Sequence, residues 1–157
     1  MRTQGVKLDR EVLISPPLQP NRSKPFSHLV TGIVFRAFAA HPELRKSEEA
    51  HHAGRLLKGH FFLPDNYRDR GGPSFWTSIS FPFWFTDVVS SLDSLSLLGF
   101  PAQDPDIKRA LDWVIRQQES DGSWGFKLLK GKHLDTKRWV SLALCRILRR
   151  FFPEIMV

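Results

Sequence analysis

The strongest pattern in this chain starts at Asp104 and Pro105, because aspartate can cap a helix and proline suits the first helical position. Apolar residues then recur at spacings of three and four through residues 107–115, which predicts an amphipathic helix. Asp121 and Gly122 are typical of the turn that follows it. Such a helix must bury its apolar face against a neighbouring element, and the rest of the chain supplies further helices.

Five helices are predicted, covering about residues 27–40, 47–59, 86–99, 104–118 and 135–150. Their expected N-terminal residues are Ser27, Ser47, Thr86 or Asp87, Asp104, and Asp135 or Thr136. The first helix is apolar around nearly its whole circumference and is expected to be buried, whereas the second is amphipathic and outer. The third and fifth begin about 50 residues apart, which indicates a repeat of inner and outer helices. We expect essentially no β-strand.

The predicted repeat domain covers residues 27–152. Residues 1–26 contain four prolines, which predicts an extended N-terminal arm, and residues 153–157 form a C-terminal tail. Residues 60–85 are an aromatic-rich connection interrupted by proline and glycine. An irregular connection of this length is uncommon in a compact domain and is often functional.

Residues 108–125 closely resemble the QW repeat. The matching residues are one basic, one aromatic, one glutamine, one glycine and one tryptophan residue, namely Arg109, Trp113, Gln118, Gly122 and Trp124. Val114 departs from the motif, since leucine is usual there. The motif belongs to squalene–hopene cyclases and related terpenoid cyclases, whose fold is shared by protein prenyltransferase β-subunits. Its glutamine amide can bond free backbone groups at helix ends, and its tryptophan stacks across the turn onto the neighbouring hairpin.

The resemblance implies an all-α domain of helical hairpins that form a partial α/α toroid. In that family about six hairpins close around an apolar cavity, whereas this chain has about two and a half. Repeat units bury their faces against their neighbours. We therefore expect this chain to need a missing N-terminal half, or another chain, to cover its exposed helices. The ligand that the resemblance implies is an apolar isoprenoid.

The chain lacks the motifs that would identify a reaction in this family. It has no Asp-x-Asp-Asp acid motif and no closely spaced Asp-x-Cys zinc pair. Its single cysteine, Cys145, falls in mid-helix, where we expect a small buried residue. Two functions stay open: a fragment or degenerate member that handles an isoprenoid in a helix-lined cavity, and a non-catalytic helical repeat module for protein–protein interaction. No cofactor and no metal site is expected.

Three polar residues, His28, Asp87 and Asp135, fall at the starts of the predicted inner helices. In a toroid those starts gather at one mouth of the cavity, where a histidine and two carboxylates can act as acid, base or metal ligands. The alternative is structural, because helix starts favour aspartate as a cap and as a partner of the helix dipole.

Two further groups are candidate ligand contacts. The aromatic group, which in cyclases would stabilise carbocations by cation–π attraction, is Trp76, Phe83, Trp84 and Phe85. The basic group, which would hold a diphosphate, is Arg68 and Arg70. Ordinary core packing and a solvated surface loop are the respective alternatives.

The charge of the chain favours anionic partners without identifying one. Lys and Arg number 23 against 16 Asp and Glu, giving a net charge of +7. No nucleic-acid-binding motif accompanies this charge, so nucleic acid is not an expected partner. Residues 146–152 hold three arginines and two phenylalanines, which suits either contact with an anionic membrane or a solvated helix end. The single cysteine and the absence of a long apolar run favour a cytoplasmic location, with peripheral membrane contact as an alternative.

Overall fold

The computed structural model describes residues 26–65, 72–80, 85–128 and 134–155, which are mostly helical. The helices are α1 (His28–Ala40), α2 (Glu48–Lys58), α3 (Ser74–Thr77), α4 (Val88–Leu97), α5 (Pro105–Arg116) and α6 (Leu134–Phe151). Short 3₁₀ turns cover Leu44–Lys46 and Pro153–Ile155. The all-α prediction is confirmed, and the five expected helices are α1, α2, α4, α5 and α6. None of the helices in these ranges has the length and apolar character of a membrane-spanning segment.

A small parallel ladder is the exception to the expectation of essentially no strand. Its strands, β1 (Ser78–Ile79) and β2 (Lys127–Leu128), pair in register. Each strand has only two residues, so the ladder ties the segment before α4 to the segment before α6 without forming a sheet layer. Sequence patterns miss such strands, because two residues are too few to show the alternation of a strand.

Side-chain caps begin four of the five long helices at the predicted residues. In each case a hydroxyl or carboxylate oxygen accepts a hydrogen bond from a backbone N–H of the first turn, and the capping residues are Ser27, Ser47, Asp87 and Asp104. Each cap satisfies a donor that the helix itself leaves unpaired. The last helix differs, since α6 begins at Leu134 and both Asp135 and Thr136 lie inside its first turn.

The centre of the structure is α4, which contacts α1 and α6. Helix α2 packs on α1, and α5 packs on α4. The buried residues of α4 include Val88, Val89, Leu92 and Leu95 together with three serines, Ser90, Ser91 and Ser94. Small side chains on a buried helix let its neighbours approach closely, so this composition suits a helix covered on more than one side.

The face of α1 turned away from α4 corrects the prediction that this helix is buried all round. Val30, Ile33 and Val34 are 53%, 42% and 48% exposed, and Ala37 is exposed as well. Their spacing of three and four residues places them on one face of the helix. The prediction was wrong because an apolar sequence favours burial on every side, whereas the described neighbours cover only part of α1.

Helix α6 confirms its predicted apolar stripe and corrects the expectation for Cys145. Val140, Leu144, Ile147 and Phe151 are buried. Cys145 is exposed, although we expected it to be a small core residue. Side chains of adjacent helical residues point about 100° apart, so Cys145 can be exposed although Leu144 is buried.

The turn after α5 shows how the QW-like residues act. The indole Nε1 of Trp124 donates to the carbonyl oxygen of Val114 at 3.0 Å, which satisfies a carbonyl near the end of α5. The backbone N–H of Trp124 donates to Ser141 Oγ of α6 at 3.1 Å. The side-chain amide of Gln118 donates to the carbonyl oxygen of Gly122 at 2.9 Å, and Gly122 has a φ of +82°, which favours glycine. The glutamine therefore forms a hydrogen bond within the turn, and the tryptophan forms one with the end of α5.

The remaining two motif residues connect this turn to the segment after α2. Trp113 stacks on Phe126, with ring centroids 5.5 Å apart and planes at 19°. The Arg109 guanidinium donates to the carbonyl oxygen of Phe61 at 3.3 Å and lies 6.0 Å from the ring centroid of Phe62. Trp124 thus joins the end of α5 to α6, Arg109 joins α5 to a segment about 50 residues earlier, and Gln118 with Gly122 closes the turn. These are structural roles.

We predict that Trp124→Ala lowers the free energy of unfolding by about 3–5 kcal/mol, because it removes a large buried side chain. Trp124 is only 4% exposed and its indole donates a buried hydrogen bond. Urea denaturation of the full chain measures the change. The control is Trp139→Ala on α6, where the ring is 56% exposed and the expected change is within about 0.5 kcal/mol. A loss below about 1 kcal/mol for Trp124→Ala would contradict the clamp role of the turn.

Candidate functional site

His28, the first residue of α1, is fully buried and lies beside a buried carboxylate. Its Nδ1 is 3.3 Å from Oδ2 of Asp65, and the Ser27 hydroxyl donates to the same oxygen at 3.0 Å. Asp65 therefore ties the segment after α2 to the start of α1. Asp65 was not predicted to belong to a site, since a contact between residues about 40 positions apart leaves no local periodicity in the sequence.

The ring of His28 also stacks on Trp76, with centroids 4.6 Å apart and planes at 29°. Trp76 is fully buried, meets Phe61 edge to face at 5.2 Å, and donates its indole N–H to the carbonyl oxygen of Leu63 at 2.9 Å. Within the chain, the indole N–H of Trp76 thus has a hydrogen-bond acceptor and its ring contacts His28 and Phe61. These contacts are those of a packed core residue, which was the structural alternative for Trp76.

Asp87, the N-cap of α4, is also buried and accepts backbone hydrogen bonds with both oxygens. Its Oδ1 accepts from the N–H of Ser90 at 2.8 Å and its Oδ2 from the N–H of Ser80 at 3.0 Å, while the Ser90 hydroxyl accepts from the N–H of Asp87. Burial raises the pKa of Asp87 to about 6, against the opposing effect of these hydrogen bonds. A carboxyl group that titrates near neutrality can exchange a proton, but here its oxygens are occupied by one donor of the helix cap and by the N–H of Ser80.

The starts of α1 and α4 are joined directly. The Thr86 hydroxyl donates to the carbonyl oxygen of Leu29 at 2.7 Å. A Cβ built on Gly32 would lie 2.2 Å from the Thr86 side chain, so only glycine fits at that position of α1. His28 and Asp87 therefore belong to the same end of the helix pair, and each is held by partners of its own.

Asp135 does not share this buried environment. It is exposed, and its nearest described ion pair is with Arg138 at 3.6 Å, where both side chains are more than two-thirds exposed. Such a pair contributes little to stability. Of the three candidate catalytic residues, two are buried at one end of α1 and α4, and the third is in solvent on α6. In the described part of the chain, no group of three or more His, Cys, Asp or Glu residues has an arrangement suited to a metal ion.

The other candidate ligand contacts are described only in part. Phe83, Trp84, Arg68 and Arg70 lie outside the described residues. Phe85 is 39% exposed, and its backbone N–H donates to the Ser80 hydroxyl at 3.0 Å.

Three recesses in the described surface are lined by other residues. The recess beside the QW-like turn has a volume of about 80 Å³ and includes Trp124, Phe126 and Val140. A groove between α1 and α2, with about 320 Å³, includes Thr31 and Leu56. A recess beside α5, lined by Ala102, Gln103, Lys108, Leu111, Asp112, Ile115 and Phe152, holds about 280 Å³. Pockets for organic ligands usually hold about 300–1,000 Å³, so the first recess is too small for a prenyl chain.

Comparison of the chain with protein-family models, with curated proteins and with solved structures found no match. The resemblance to the terpenoid cyclases therefore rests on the QW-like residues themselves.

We predict that Asp87 gives the protein a pH-dependent stability that Asp87→Asn lacks. The ordinary pKa of an aspartate carboxyl, 3.8, applies in the unfolded chain, whereas burial raises the pKa in the folded protein to about 6. The folded state then keeps a proton that the unfolded state releases, so the contribution of Asp87 is full below pH 4 and is lost as pH rises through 6. Two pKa units correspond to about 3 kcal/mol at most.

The measurement is the difference between the unfolding free energies of wild type and Asp87→Asn at several pH values from 4 to 7. Other titrating groups cancel in that difference, because they are present in both proteins. As pH rises, the unfolding free energy of the wild type should fall relative to that of Asp87→Asn. Parallel stability curves would show that the Asp87 carboxyl is not desolvated.

Proposed function

We propose that this chain is a non-catalytic helical-hairpin module of the terpenoid cyclase type, which assembles with another helical unit through the exposed face of α1. The observation that carries the proposal is the exposed apolar stripe of Val30, Ile33, Val34 and Ala37, called here the α1 stripe. Contiguous exposed apolar residues at helical spacing are typical of a surface that another helix covers.

The packing of α4 supports this proposal. Helix α4 contacts α1 and α6, and most of its residues are buried. Helix α1 contacts α4 and α2, but its stripe has no described neighbour that buries it. The α1 stripe contains no charged residue, so an apolar helix face can cover it. In a hairpin repeat, the surface at an open edge is covered by the next unit.

The groove beside the α1 stripe indicates how a partner helix would lie. It runs between α1 and α2, and Ala53 and Leu56 extend the apolar surface, with Leu56 45% exposed. Glu48 and Glu49 line the same groove, so a partner with an apolar face and a basic flank would complement it.

The environment of the candidate catalytic residues also favours a structural role. Asp87 caps α4, and His28 is enclosed by Asp65 and Trp76. The QW-like turn, in turn, supports membership of a hairpin-repeat family, because its tryptophan and glutamine bond the helix end and the turn.

The helical unit in this proposal is a second copy of the chain, so purified protein should self-associate through the α1 stripe. Sedimentation equilibrium should show a mass that rises with concentration. Val30→Glu/Val34→Glu should leave a folded monomer, since it places charges in the contact without removing a buried side chain. Its melting temperature should match that of the wild type at concentrations too low for association.

The matched control is Leu44→Glu, because Leu44 is 47% exposed in the 3₁₀ turn after α1 and lies outside the α1 stripe. This variant should associate like the wild type. A wild-type chain that stays monomeric at its highest soluble concentration, or equal association by the double variant, would refute the proposal.

A second function, isoprenoid binding, is favoured by the recess beside α5. Leu111, Ile115 and Phe152 give it apolar walls, and Lys108 lies at its edge, where it can meet a diphosphate. Lys108 now pairs with Asp112 at 2.8 Å, but the lysine is mostly exposed and such pairs are weak. The volume of about 280 Å³ suits a short prenyl group.

If this second function holds, farnesyl diphosphate should raise the melting temperature of the protein in a saturable way, by mass action on the folded state. Ile115→Asp should abolish the shift, because Ile115 lines the recess and is 47% exposed. Ile33→Asp on α1, similarly exposed at 42%, is the control and should keep it. The absence of a shift with farnesyl diphosphate, longer prenyl diphosphates and squalene would exclude isoprenoid binding.

A further inference from the structure

We propose that the outer face of α6 binds an anionic membrane surface. This face consists of the exposed residues Arg138, Trp139, Leu142, Cys145, Arg146 and Arg149. It is separate from the α1 stripe and has a different chemistry, so the inference does not depend on self-association of the chain.

The periodicity of α6 gives the helix a buried face and an exposed face. Val140, Leu144 and Ile147 are buried against the rest of the domain. Trp139 and Leu142, which alternate with these buried residues along the sequence, are 56% and 51% exposed. An exposed tryptophan and leucine close together on a well-packed helix have no role in the core, and they provide apolar surface to a partner.

The C-terminal end of α6 packs against the rest of the domain. This is the segment for which the sequence suggested membrane contact. Phe151 is buried and Phe152 packs against the core. The Arg150 guanidinium donates to Asp93 and, at 2.7 Å, to the hydroxyl of Ser96. The basic surface therefore lies along the outer face of the helix rather than at its end.

The charge on this face selects the partner. Arg138, Arg146 and Arg149 are exposed. Among the described residues, Arg138 pairs weakly with Asp135, which is the one acidic residue of α6. Burying three guanidinium groups against an apolar helix would be costly. Lipid phosphates and carboxylates instead pair with arginine, while an indole and a leucine side chain enter the boundary between headgroups and acyl chains.

Arginines also attract nucleic acid, but nucleic acid fits the apolar part of this face less well than a lipid surface does. Single-stranded nucleic acid binds through stacking of successive bases on aromatic rings. Here one aromatic ring, Trp139, stands beside an aliphatic side chain, Leu142, which offers no stacking surface. The combination favours a lipid surface, and the net charge of +7 would help to draw the protein to it.

Cys145 makes a direct test possible, because it is the single cysteine of the chain, is exposed and lies within the outer face of α6. The full-length protein is labelled there with a polarity-sensitive fluorophore and mixed with vesicles. Vesicles of phosphatidylcholine and phosphatidylserine should shift the emission to the blue and increase it. Pure phosphatidylcholine vesicles should not, and high salt should reverse the shift.

Co-sedimentation with the same vesicles measures the unlabelled variants. Arg146→Glu/Arg149→Glu should weaken binding by roughly 30-fold or more, since each basic residue near an anionic surface contributes about fivefold. The control is Lys46→Glu/Lys108→Glu, which makes the same change of net charge at two exposed lysines on other elements. It should reduce binding far less. Melting temperatures establish that each variant is folded.

Several outcomes would overturn the proposal. Equal losses in the two charge variants would reduce it to an effect of net charge. Equal binding to neutral and anionic vesicles would remove the role of the arginines. Tighter binding of a single-stranded oligonucleotide than of vesicles would make this face a nucleic-acid surface. An emission shift that depends on protein concentration without vesicles would show that a second copy covers the face.

Discussion

The burial of α4 against α1 and α6 is the contact on which the rest of this structure depends. Small residues let the backbones come close there. The side chain of Thr86 occupies the space that a Cβ on Gly32 of α1 would need, and three serines of α4 are buried. The Thr86 hydroxyl then bonds the carbonyl oxygen of Leu29. This close approach determines which ends of the helices meet, and therefore where His28 and Asp87 lie.

The polar groups at that end illustrate how burial changes the role of a residue. Asp87 is placed as a cap, yet the same burial that protects its hydrogen bonds raises its pKa to about 6. His28 is enclosed by Asp65 and Trp76. Residue types that suit acid–base chemistry thus act here in joining helices and loops.

The two exposed faces of the domain differ in chemistry although both belong to helices that contact α4. The α1 stripe is apolar and uncharged, whereas the outer face of α6 combines one tryptophan and one leucine with three arginines. An apolar helix suits the first and an anionic surface suits the second, because guanidinium groups lose their hydration when a helix covers them. Under the two proposals, the helical partner and the membrane would therefore be bound by different helices.

The sequence by itself determined where most of the long helices begin and where the turn after α5 lies. The caps at Ser27, Ser47, Asp87 and Asp104 and the turn at Gly122 were predicted correctly, because each depends on contacts within about five residues. Only the tertiary structure decided which faces are buried. It exposed the α1 stripe and Cys145, and it paired His28 with Asp65 and Trp124 with Ser141. These outcomes depend on which helices become neighbours, and no local periodicity encodes that choice.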